Sequence, residues 1–141
     1  MTPTLFGRWQ TRLFLLATAG GSITLLFALG IIGPGAGGIY FWILAYVALF
    51  GLAWDVFYNY LQQGRWDRDW PAAVQWLAAL GEAIFLLLVI KIIGLPGVPR
   101  WMPVGLFFLH YGCVWLAVFL ASQSLMRILF IRWRFNGGRW I

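Results

Sequence analysis

Three observations predict an all-α, polytopic membrane protein, a compact four-transmembrane-helix bundle with both termini cytoplasmic. The chain of 141 residues is 62% hydrophobic and only 10% charged, where a soluble domain carries about 25% charged residues. Its surface is therefore expected to face lipid. Four apolar segments, at about 13–33, 38–61, 71–94 and 103–129, each supply the roughly 20 helical residues needed to cross about 30 Å of hydrocarbon. Lysine and arginine gather at the ends of these segments rather than on a polar face, a pattern of topology and not of nucleic-acid binding.

The first element needs one check, because "MTPTLFGRWQTRLFLLATA" combines basic residues, an apolar start and the small triplet Ala17-Thr18-Ala19 of a signal-peptidase site. Only four apolar residues separate Arg12 from Ala17, too short for a signal sequence, and the run continues for a further span. An uncleaved first helix is expected. "GPGAGG" at 33–38 is a tight uncharged turn into the second span. The dense charge run "QQGRWDRDWP" follows it, with Asp69 placed to cap the third helix and Pro71 suited to its first turn. "GLPGVPRWMP" at 94–103, with three prolines, leads into the fourth span. Spans one and two do not match three and four in their polar positions, so an inverted repeat has no support.

Counting basic residues by side decides orientation. Arg8, Arg12, Arg65, Arg68, Arg127, Arg132, Arg134 and Arg139 share one side, and Lys91 and Arg100 the other. This bias places both termini in the cytoplasm or its equivalent. In the tail "RILFIRWRFNGGRWI", Arg127, Arg132, Arg134 and Arg139 alternate with Trp and Phe, as in an interfacial anchor on anionic lipid; plain topology and snorkelling are the simpler account of them. Trp9, Trp66, Trp70, Trp101, Trp133 and Trp140 fall at span ends, where aromatic belts sit.

Each span carries one stripe of small or polar residues: Ala17, Gly20, Gly21, Thr24 and Ala28; Ala48, Gly51, Asp55, Asn59 and Gln62; Gln75, Ala78, Ala79 and Glu82; His110, Cys113, Ala117, Ala121 and Ser124. Small residues let helices approach in lipid and buried polar groups need one another there, so these stripes are expected to face inward. Glu82 is the sharpest feature, a carboxylate inside "WLAALGEAIFLLLVI". Such a group needs a partner, a proton or a task. Lys91 is nine residues away on nearly the opposite face. At ~1.5 Å per residue, Asp55 lies about 9 Å, Glu82 about 16 Å and His110 about 20 Å from the basic side, and with Asn59 they form a staggered polar ladder. Two readings of it stand open. In one, Glu82 is protonated and bonded to His110 or Gln75, while Asp55 meets water, Asn59 or an arginine such as Arg127. In the other, Asp55, Glu82 and His110 relay protons or bind a cation.

His110 can also ligate the central metal of a haem or chlorophyll, with Phe107, Phe108, Tyr111 and Trp115 near enough to pack on a macrocycle, or be a satisfied packing residue. No metal-site, phosphate-loop or nucleophile–base motif is present, and Cys113, one turn from His110, reads as packing. Few ligands exist for metal chemistry, and no enzymatic activity is expected.

Three segments, "TPTLFGRWQTRLFLL" at 2–16, "WDVFYNYLQQGRWDRDWP" at 54–71 and "LASQSLMRILFIRWRFNGGRW" at 120–140, resemble a family of small, uncharacterised four-span membrane proteins of cyanobacteria. The resemblance implies a photosynthetic organism and a thylakoid or plasma membrane, and carries no site residue across. The expected function is a non-enzymatic accessory or assembly subunit, in contact with membrane lipids and docked on a larger membrane complex, photosynthetic or respiratory. The alternative is a small, oligomeric proton-coupled transporter or channel built on the Glu/Asp/His set.

Overall fold

Thr4 decides where the first helix starts. Its side chain accepts a hydrogen bond from the Gly7 amide at 3.1 Å, the N-cap arrangement, and the helix runs from there through two arginines before reaching the apolar run. The computed structural model describes residues 4–33, 37–67, 71–137 and 139, without the Arg134 side chain. It contains four helices long and apolar enough to cross a membrane: helix 1 (Leu5–Ala28), helix 2 (Ile39–Gln63), helix 3 (Ala72–Ile93) and helix 4 (Val104–Leu129). A short helix 5 (Ile131–Phe135) follows, and the described residues form no strand. Helix 1 thus extends eight residues beyond the apolar run and takes in Arg8 and Arg12. At ~1.5 Å per residue Arg12 stands about 12 Å from the cap, well inside the bundle.

Helix 1 packs against helices 2 and 4, helix 2 against helix 3, and helix 3 against helix 4, so helices 1 and 3 face each other across a diagonal. The start of helix 1 and the stretch after helix 5 meet at one end, where the Thr4 amide donates to the Gly137 carbonyl at 2.9 Å. We call this the basic end and the opposite one the loop end. Helix 3 starts at Ala72, and Pro71, expected in its first turn, is instead the extended residue before it, whose carbonyl accepts from the Val74 and Gln75 amides. The expected Asp69 cap, Arg68, Trp70, Trp140 and part of the 33–38 turn lie outside the described residues.

A π turn at Leu16–Gly20 interrupts helix 1. In a regular helix Arg12 and Thr24, twelve residues apart, would point about 120° from each other; one inserted residue reduces this to about 20°. Both therefore face the interior. Close packing begins at the last residue of the turn: a Cβ on Gly20 would sit 3.2 Å from Leu44 and 3.3 Å from Val114. The small and polar stripes of helices 2 and 3 face mostly inward, with Gly51, Asp55, Gln62, Ala79 and Glu82 buried, whereas Ala17 and Ser124 are exposed. On helix 4 the inner face is made by Phe107, His110, Tyr111 and Val114.

The core lies toward the loop end. Phe27, Ile43, Ala83, Leu86, Ile90, Phe107 and Tyr111 form one buried cluster there. The loop over this core is held by charge. Lys91 donates to the carbonyls of Arg100 (2.8 Å) and Met102, and Arg100 to that of Ile93. Gly97 turns with φ +83° directly against the Trp42 indole, where a Cβ would lie 2.3 Å from the ring. Only glycine fits that approach.

Candidate functional site: an ion cluster beneath a polar cleft

Arg12 answers the question posed by Glu82. Its guanidinium grips two carboxylates at once: Nε and Nη2 donate to Asp55 at 2.9 and 2.8 Å, and Nη1 and Nη2 donate to Glu82 at 3.0 and 3.1 Å. The planar fork suits this double bidentate pairing, which an ammonium could not reproduce. Asp55 is 3% and Glu82 9% exposed. Three helices are tied together at one point, across the diagonal of the bundle.

Gly51 makes room for that guanidinium. A Cβ there would lie 2.4 Å from Arg12 Nη1 and 2.8 Å from Cζ, so helix 2 can approach the charge only because position 51 has no side chain. Arg8, one turn before Arg12 on helix 1, donates through Nη2 to Gln62 Oε1 at 2.6 Å. Two guanidiniums and two carboxylates then balance to zero in this part of the interior. A neutral set is far cheaper to keep out of water than an unbalanced one.

Above the cluster, toward the basic end, helices 1, 3 and 4 part around a cleft of about 350 Å³. Its floor is Arg12, Asp55 and Glu82; Leu15, Val114 and Val118 give it an apolar wall, and Gln75, Gln123 and Arg127 line it as well. The two amides meet weakly, Gln123 Nε2 to Gln75 Oε1 at 3.5 Å. Helix 5 folds back over one side, where the buried Trp133 lines the cleft and its indole donates to Thr11 Oγ1 at 2.7 Å. The volume is at the lower end of small-molecule sites.

The expected ladder separates into two places. Asp55 and Glu82 meet on one arginine, while Asn59 is half-buried one turn from Asp55. His110 belongs elsewhere: it is 1% exposed, pairs through Nε2 with Thr24 Oγ1 at 3.1 Å, and is flanked by the rings of Phe27 and Tyr40, each 5.1 Å away between centroids. Among the described residues Nδ1 has no hydrogen-bond partner. Neither the cleft nor the small void beside it is lined by His110. The imidazole is thus enclosed among aromatic rings, apart from the carboxylates. The other pairings expected from the sequence also resolve differently, with Gln75 near Gln123 rather than Glu82 and Arg127 on the cleft wall rather than on Asp55.

Of the tail arginines, Arg127, Arg132 and Arg139 are exposed. Trp66 and Trp101 stand exposed at opposite ends, whereas Trp9 donates to the Leu52 carbonyl at 3.1 Å and Trp133 is buried. Among the described residues no group of three or more His, Cys, Asp or Glu is placed to hold a metal ion. Sequence reading missed Arg12 because it stands outside the apolar run; the Thr4 cap, which carries the helix down to it, was the available signal. Compared with known proteins, the chain matches no family model, no curated protein and no solved structure.

Proposed function

We propose that this chain is a membrane-embedded binding subunit, without chemistry of its own, that holds a small ligand in the cleft and docks on a larger membrane complex, photosynthetic or respiratory. The cleft carries the reading. It is a cavity of about 350 Å³ on the basic-end side of the loop-end core, and its charged floor is already satisfied by mutual pairing. Such a floor positions and shapes rather than reacts. The excess of arginine at the basic end argues for a cytoplasmic placement of that end, with the cleft facing the cytoplasmic leaflet.

Purification of a tagged copy from its native membrane in mild detergent tests this, with mass spectrometry of proteins and extracted small molecules and a visible spectrum. Stoichiometric partners with a retained small molecule support the proposal. A chain found alone and empty removes it. One observation favours a second reading, proton-coupled transport: both intramembrane carboxylates border the cleft. In that case Glu82→Gln abolishes proton flux in liposomes while leaving the fold intact, and wild-type flux in that variant excludes transport through Glu82.

A further inference from the structure

The charges around the cleft specify the class of ligand. Arg8 and Arg12 balance Asp55 and Glu82, and Asp67, the other described acid, is bound to Arg65 at 3.2 Å outside the cleft. Arg127 is therefore the charge left over on the cleft wall, exposed and outside every ion pair formed by the described residues. The Gln123 amide, joined to Gln75 only at 3.5 Å, is a further donor on the same wall. A cationic ligand would have to displace Arg12 from four hydrogen bonds. A neutral one would gain no charge-assisted hydrogen bond from Arg127.

We propose that the cleft binds the acidic head of a single-chain or two-chain amphiphile, with a phosphate or carboxylate on Arg127 and Gln123 and the start of its apolar chain against Leu15, Val114 and Val118. Guanidinium and amide donors suit an oxyanion in a fork geometry. The apolar wall beside them takes a chain that water would exclude. The inference deepens the proposed binding role and rests on it. The acid has two sources, a lipid of the adjoining leaflet or a free small anion, and they share this recognition chemistry.

Binding of four probes to the full chain in neutral detergent separates the outcomes: dioctanoyl phosphatidic acid, octanoate, dioctanoylglycerol and inorganic phosphate. Saturable binding of an acid-headed probe, at least about tenfold tighter than dioctanoylglycerol and weakened about tenfold in Arg127→Gln but not in Arg132→Gln, is the expected result. Arg127 is exposed, so this variant keeps the fold, which its elution profile checks. Inorganic phosphate binding as tightly as phosphatidic acid, with the same Arg127 dependence, supports the site and assigns it to a free anion. Equal loss in Arg127→Gln and Arg132→Gln overturns it in favour of general surface charge. Dioctanoylglycerol binding as tightly as the acids overturns the ligand class and leaves the binding role standing; saturable binding of none of the four removes both.

Discussion

The two halves of this bundle hold their helices together in opposite ways. Toward the loop end the helices interlock through side-chain shape, with Phe27, Ile43, Ile90 and Phe107 almost wholly enclosed. Toward the basic end they stand apart around a cleft and are tied by one guanidinium and two carboxylates. Packing produces a solid; a charge clamp holds helices at a distance and leaves room between them. Dispersion contacts vanish across a gap, so beside the cleft the ion pairs supply what packing cannot.

Removing the clamp is expected to have the largest effect. Arg12→Met leaves two buried carboxylates facing each other without a cation and costs about 3–5 kcal/mol, read as a lowered unfolding midpoint in detergent. The triple variant Arg12→Met, Asp55→Leu, Glu82→Met should recover most of that loss while closing the cleft. If Arg12→Met costs no more than Arg132→Gln, the contrast between the halves collapses.

Phe27→Ala addresses the packed half. It should cost about 3 kcal/mol by opening a void between helices 1, 2 and 4, and ligand binding at the cleft should be unaffected in the fraction that remains folded. Gly51→Ala comes next, at about 1–3 kcal/mol, because its methyl occupies the place of the Arg12 guanidinium. Measured again in the Arg12→Met background, the penalty should disappear, and a penalty that persists would show that the backbone rather than the arginine needs the space. Trp133→Phe is the mildest. It loses one hydrogen bond to Thr11, about 1 kcal/mol, and should quicken exchange of helix 5 amides without moving the main transition.

Glu82 and Asp55 were legible as a site because a carboxylate inside an apolar run is anomalous whatever surrounds it. Arg12 was not, since an arginine at the end of such a run is the ordinary mark of topology. His110 illustrates the converse. Its type and position suggested a share in the ladder or a macrocycle, yet the imidazole is paired with Thr24 among aromatic rings away from the carboxylates. Depth along a helix can be counted from sequence, but the face a side chain presents after a π turn such as Leu16–Gly20 cannot.

By itself the sequence determined that the chain is helical, that four segments are long and apolar enough to cross a membrane, and that carboxylates within two of them require compensation. Composition and periodicity carry that much, because the cost of exposing polar backbone or an unpaired charge to hydrocarbon does not depend on the neighbours. The tertiary structure decided the rest: that the compensation is Arg12, that Gly51 admits it, and that a cleft remains above the cluster. Pairing across a bundle depends on which helices lie on the diagonal and on how each is rotated, and these are set only when all four pack together.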